Sequence, residues 1–237
     1  MRFFITLSVS GRFNAVYTLL GTFKNTDKME GINLIHGDSL QALKGYADNH
    51  FDVAIVDPPY GLDKKLAHAG NGKNAQSKFS EDFKKKAWDN EIPSKEYFDE
   101  LFRVSKNQII WGGNYFLEHL KSSRGMICWD KMVYIPTMSR IEFAWVSFDR
   151  LPKLVQVNNN DKNRIHLTQK PVQLYKWILE NYTNEKDLIL DTHLGSGSIA
   201  IACHYMKRNL IGYEIDKEYY DAACKRFKEQ TMQQALW

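Results

Sequence analysis

Residues 187–216 read "DLILDTHLGSGSIAIACHYMKRNLIGYEID", and this stretch decides the fold. The apolar run Leu188 to Leu190 predicts a short buried strand ending at Asp191. Gly195 and Gly197 follow in a turn, an apolar segment to Tyr205 predicts a helix, and "NLIGYE" predicts a second strand ending in Glu214. Strand, glycine turn, helix and strand in that order make a nucleotide-binding βαβ unit. The glycines let the backbone approach a ligand, and the helix N-terminus offers unpaired N–H groups and positive dipole to an anion. An acid closing the second strand is placed to accept hydrogen bonds from both hydroxyls of a ribose. Asp191, Gly195, Ser196, Gly197 and Glu214 are thus candidate cofactor contacts. Ala200 stands where a dinucleotide fingerprint has its third small residue, so spacing alone leaves a dinucleotide open.

The same alternation of short strands and helices runs through the chain on both sides of this unit. "INLIHG" (32–37) and "DVAIV" (52–56) predict strands, with a short helix over 39–46 between them. Ser94 predicts the N-cap of a helix to Val104, whose apolar stripe is Tyr97, Phe98, Leu101 and Phe102. "NQIIWGG", "GMICWD" and "IEFAWVSF" predict further strands, the last half-exposed, and a helix is expected over 171–182 and another from Lys217. Residues 148–165 break the periodicity and are expected to be a loop. This pattern implies an α/β fold, a doubly wound and mostly parallel sheet covered on both faces. No repeat or linker divides it, so a single domain over 29–237 is expected, preceded by an extension, residues 1–28.

Residues 52–61, "DVAIVDPPYG", end a strand on an acid, two prolines and an aromatic ring. Each proline fixes its own φ and restricts the residue before it, so Asp57 and Pro58 are presented on a stiff backbone, followed by Pro59 and Tyr60. On its own the group could be a capped turn with a packed tyrosine. At the end of a predicted strand, in a chain with a nucleoside-binding unit, it is a candidate catalytic site.

Composition excludes several classes. With 43% hydrophobic and 25% charged residues the chain is an ordinary globular one, and no apolar run reaches the roughly 18 to 20 residues of a membrane span. Arg2 and the run Phe3 to Val9 begin like a secretory signal, but Gly11 and Arg12 interrupt it. Cys128, Cys203 and Cys224 form neither a CxxC pair nor a zinc-spaced cluster, so packed thiols, no metal and a cytoplasmic location are expected. The net charge of +4 is concentrated between Gly61 and Trp88, where seven lysines, among them Lys64, Lys65, Lys84, Lys85 and Lys86, meet three acids. This stretch reads either as a solvated loop or as a phosphate-contacting flap beside Asp57.

With both groups in view, the chain resembles the amino-methyltransferases of DNA, in the permuted group where the catalytic motif precedes the cofactor motif. "DPPY" is similar to that family's catalytic tetrapeptide, "LDTHLGSGSIA" to its S-adenosylmethionine loop, "GYEIDKEYYDAA" to its ribose-binding segment, and "HLTQKP" to the short motif before the loop. The order of the four is more specific than any one of them. Departures are Thr192 and His193 where the family has Pro-Phe, and Leu167 where a proline is common. The resemblance implies that Asp38, in "IHGDSL", approaches the cofactor adenine, although an acid starting a helix is an equal reading. It also implies that His166 and Lys170 lie near the cofactor, where a solvated loop is the plainer alternative.

The activity implied is methylation of the N6 amino group of adenine in double-stranded DNA. N4-cytosine methylation is the first rival, and family members with that target often carry Ser where Asp57 stands. A relative that binds DNA without catalysis is a second, while protein glutamine methyltransferases place the cofactor loop first. A homodimer and a cognate restriction endonuclease are further partners that such enzymes admit. Trp111 with Gly112, Gly113 and Asn114 reads either as core or as the wall of a base pocket. Loops near 61–93 and 130–165 are expected to contact DNA, with Trp129, Lys131 and "NNNDKNR" as candidate base readers. Replacing Lys84, Lys85 and Lys86 together by Ala is expected to weaken DNA binding and flatten its dependence on salt; an unchanged slope in a salt titration would discard the flap.

Overall fold

The computed structural model describes residues 31–62, 91–134, 139–159, 164–166 and 168–232, and the backbone of 26–29. The strands are β1 (Thr26–Met29), β2 (Ile32–His36), β3 (Phe51–Val56), β4 (Ser105–Trp111), β5 (Met126–Asp130), β6 (Ile141–Val146), β7 (Lys153–Gln156), β8 (Leu188–Asp191) and β9 (Asn209–Glu214). The helices are α1 (Ser39–Leu43), α2 (Lys95–Val104), α3 (Val172–Tyr182), α4 (Ser198–Met206) and α5 (Lys217–Met232), with a short 3-10 turn at Gly113–Tyr115. All nine strands join one sheet in the order β1-β2-β9-β8-β3-β4-β6-β5-β7.

The five strands from β2 to β4 in that order run parallel, which places all their carboxyl ends at one edge. Such strands are buried on both faces, and β3 shows it. Val53 and Ile55 join one apolar layer, formed with residues of α3, α4 and α5, while Ala54 and Val56 join the other, formed with α1 and α2. Chain direction then singles out one point. From β8 the chain crosses through α4 to β9 on one side, whereas from β3 it crosses through α2 to β4 on the other. The gap between the carboxyl ends of β3 and β8 is therefore a topological switch point, the place where open α/β sheets bind ligands.

Local signals explain the helices that flank this gap. The Ser94 hydroxyl caps α2 by accepting from the Tyr97 N–H at 3.4 Å, and Tyr97, Phe98, Leu101 and Val104 bury its apolar stripe. Pro171 stands at the N-cap of α3 with extended backbone, consistent with a residue that cannot donate an N–H.

Two expectations need correction. Residues 148–165 contain a strand: β7 adds parallel to β5, with Cys128 opposite Leu154 and Trp129 opposite Val155. Only Val155 of its four residues is buried, so the segment lacks the apolar alternation by which strands are read. The folded unit also begins before residue 29, because β1 lies in the presumed extension and pairs antiparallel with β2, Thr26 facing Ile35. Among the described residues no helix is long and apolar enough to cross a membrane. Leu190 of β8 is wholly buried in the apolar layer formed with α1 and α2. Leu190→Ala is expected to lower unfolding free energy by about 2 to 5 kcal/mol in a denaturant titration.

Candidate active site

At the switch point, β3 delivers Asp57 and β8 delivers Asp191, and β9 beside them ends in Glu214. Both oxygens of Asp57 are engaged: the Tyr60 hydroxyl donates to Oδ1 at 2.6 Å and the Lys170 ammonium to Oδ2 at 2.5 Å. Each carboxylate oxygen has a second lone pair, so the group keeps acceptor capacity toward a ligand. Burial, then the charges of Asp57 and Glu142, push the Tyr60 phenol well above its ordinary pKa, so it remains a donor.

Tyr60 is packed closely. A Cβ built on Gly112 would lie 2.2 Å from Tyr60 Cε1, and Gly112 has φ of +66°, so both space and backbone require glycine there. The Tyr115 ring stacks on Tyr60 with centroids 4.9 Å apart and planes 17° from parallel, and Phe116 meets it edge-on. A base stacking on that same face would have to take the place of Tyr115. Trp111, at the end of β4, is wholly buried and belongs to the core.

A cleft of about 210 Å³ opens at this edge, and its lining includes Asp38, Pro59, Tyr97, Thr192, His193 and Glu214 but not Asp57. Residues from "DPPY", the glycine loop and the acid of β9 thus share one cavity. Asp38 does two things: its carboxylate caps α1, accepting from the Leu40 N–H at 2.8 Å, and it lines the cleft. Thr192 and His193, the departures from the family pattern, are accommodated without disrupting it. The Thr192 hydroxyl bonds Tyr97 Oη at 2.7 Å, and the His193 ring packs on Tyr97. Burial lowers the pKa of His193 to about 4, so its ring is neutral at physiological pH.

The loop itself is held from behind. Gly195 donates its N–H to Glu214 Oε2 at 2.8 Å, and Asp216 donates to Oε1 at 2.9 Å. Gly197 adopts φ of +70° at the start of α4, which has no side-chain cap, so its N-terminus keeps N–H groups for an anion. The Ser196 hydroxyl bonds that of Ser198 at 3.0 Å, while buried Arg226 donates to the Ser196 carbonyl at 2.8 Å. Burial raises the pKa of Asp191 to about 8; the His193 N–H opposes this, and Asp57 and Glu214 add to it.

His166 and Lys170 are both buried rather than on a solvated loop. His166 lies under Gly195, where an added Cβ would sit 3.8 Å from its ring, and Lys170 lies against Asp57. The base-reader reading of Trp129 and Lys131 fails. Trp129 is wholly buried and donates its Nε1–H to the Val157 carbonyl, while Lys131 is 2.6 Å from Glu142 in an ion pair. Sequence reasoning missed Glu142 and Arg226, whose importance appears only when distant strands and helices are brought together. Lys64, Lys65, Lys84, Lys85 and Lys86 lie outside the described residues, as do 160–163 of the "NNNDKNR" loop.

Residues 109–225 match the family model N6_N4_Mtase, described as DNA methylase. Over those residues, just under half of its length, the chain is similar to that family. The chain is 24% identical over 234 residues to the type II methyltransferase M.HpaI of Haemophilus parainfluenzae, covering 83% of this chain and 74% of that protein. It is 25% identical over 257 residues to the type II methyltransferase M2.MboI of Moraxella bovis, covering 88% and 91%. Among solved structures, the M1.HpyAVI–SAM complex superposes with a TM-score of 0.54 at 21% identity, over 84% of this chain and 98% of that one. The cytosine-N4-specific PvuII DNA methyltransferase superposes at 0.55 and 13% identity, over 88% and 96%. These superpositions carry the α/β fold.

Gly112→Ala is expected to displace Tyr60 and cost about 100-fold or more in methyl transfer while the chain stays folded. Methyl transfer and circular dichroism on the same preparation check it.

Proposed function

We propose that this DNA methyltransferase transfers the methyl group of S-adenosylmethionine to the N6 amino group of adenine in DNA. The observation that carries this reading is the cleft that Pro59, Thr192, His193 and Glu214 share at the sheet edge where the strands leading to Asp57 and Asp191 lie side by side. S-adenosylmethionine is the methyl donor, and it supplies an electrophilic methyl on a sulfonium. Glu214 would accept from its ribose hydroxyls, Asp38 would face its adenine, and Gly195, Ser196 and Gly197 would let its methionine end approach the α4 N-terminus.

The residues of this chain solve a specific chemical problem. The amino nitrogen of adenine is a poor nucleophile, because its lone pair is delocalised into the ring. Asp57 and the Pro58 carbonyl would each accept one amino hydrogen, which localises the lone pair and aims it at the methyl. The prolines hold both acceptors on fixed backbone, so the contribution is orientation and electrostatics rather than covalent catalysis. In a duplex the amino group is stacked and paired, so the base must leave the helix to reach Asp57. Tyr60 would then offer it a stacking face, an interaction worth about 1 to 3 kcal/mol per base. The lysines of 61–88 would hold phosphates around the opened site.

Asp57 favours adenine over cytosine, since N4-cytosine members of the family often carry Ser there. Digesting DNA methylated by the enzyme to nucleosides decides the target: N6-methyladenine is expected, and N4-methylcytosine would reassign it. Asp57→Ala is expected to keep cofactor and DNA binding and lose transfer, and full activity would remove the mechanism. As further proposals, a homodimer would be tested by sedimentation, and a cognate endonuclease by cleavage of unmethylated DNA in the source cells.

Asp191 gives a pH signature. Its folded pKa of about 8 exceeds the unfolded carboxyl value near 4, so the folded state holds an extra proton between them. That contribution to stability is present at low pH and lost as pH rises through about 8. A cationic cofactor favours the ionised carboxylate. At pH 7, binding of S-adenosylmethionine is therefore expected to release up to about one proton more in wild type than in Asp191→Asn, read by calorimetry in buffers of different ionisation enthalpy.

A further inference from the structure

Behind Asp57 lies a chain of alternating charges that the reading above does not use. Lys170 Nζ is 2.5 Å from Asp57 Oδ2 and 3.3 Å from Glu142 Oε2, and Glu142 Oε1 is 2.6 Å from Lys131 Nζ. The Lys170 side chain is 3% exposed and that of Lys131 11%, so both ammonium groups are removed from bulk water. Glu142 Oε2 is buried and makes no hydrogen bond beyond its ion-pair contact with Lys170. Burial disfavours the Lys170 ammonium, but Asp57 and Glu142 more than offset this and its pKa lies above the ordinary lysine value. Burial likewise opposes the Glu142 carboxylate, which Lys170 and Lys131 hold ionised.

The geometry follows from strand pairing. Glu142 lies opposite Trp129 in the antiparallel β5–β6 pair, and shares its face with Ala144, which lies opposite Trp111. Lys170 sits 5.0 Å from the centre of the Trp111 ring, walled in by that core residue and the two acids. A lysine stem has four rotatable bonds, and contact with one carboxylate leaves its ammonium several positions. A second anion on the other side removes that freedom.

We infer that Glu142 is a positioning residue that, acting through Lys170, fixes the plane of the Asp57 carboxylate for the incoming amino group. Lys131 completes the chain by balancing the charge of Glu142. The inference rests on the reading of Asp57 as the acceptor of amino hydrogens. It gives Lys170 a task in the empty protein, the clamping of Asp57, beyond the cofactor contact implied by resemblance.

The test uses the full chain, labelled S-adenosylmethionine and unmethylated DNA. Glu142→Gln keeps size and shape, and is expected to lower kcat about 10- to 100-fold while the Kd for S-adenosylmethionine changes less than about twofold. Lys170→Met is expected to lose at least as much, with Lys170→Arg recovering part of it. Combining Glu142→Gln with Lys170→Met should lower kcat no further than Lys170→Met alone, because Glu142 acts only through Lys170. Independent, multiplying losses would overturn the inference, as would an unchanged kcat in Glu142→Gln or a loss confined to cofactor affinity. Asp57→Asn separates the two levels: if it is inactive while Glu142→Gln is fully active, only the positioning role falls, whereas an active Asp57→Asn removes the function of Asp57 and this role with it.

Discussion

The convergence of acids at the carboxyl edge of a parallel sheet is the constraint on which the rest of the structure depends. Parallel pairing of β9, β8 and β3 brings Glu214, Asp191 and Asp57 to the same side, where burial makes their mutual repulsion costly. The protein meets that cost differently at each position. Glu214 accepts two backbone N–H groups, Asp191 is held protonated by burial below about pH 8, and Asp57 receives an ammonium. Three identical functional groups thereby acquire three electrostatic characters.

Lys170 is central to this division. Removing one partner from a buried ion pair leaves the other charge uncompensated, so Asp57 and Lys170 are constrained as a pair. The flanking strands β6 and β5 then serve the site as well as the core. They carry Glu142 and Lys131 to the far side of Lys170, and Trp111 and Trp129 close the space around them with apolar surface.

Much of this was legible in the sequence because it depends on local order. The strand ending at Asp191, the glycines of the loop, Glu214 and the proline-stiffened Asp57 each announce themselves within a few residues. That the strands leading to them end at one edge follows once the chain is read as a parallel sheet. Glu142, Lys131 and Arg226 carry no such signal, since their partners depend on antiparallel register or on a helix packing across the loop. The same reason hides β7, which has one buried side chain in four residues, and the tie between Tyr60 and Gly112, which are 52 positions apart. Trp129 misled because an aromatic beside a lysine looks the same in sequence whether it faces solvent or core.

The stack of Tyr115 on Tyr60 bears on how a base would be chosen. An aromatic ring already rests there, so an arriving base exchanges one π-contact for another and gains only the difference between them. Stacking on that face would then discriminate weakly among purines and pyrimidines. Selectivity would fall instead on what a phenol ring cannot offer: hydrogens on an exocyclic nitrogen, directed at a carboxylate that is already locked in place.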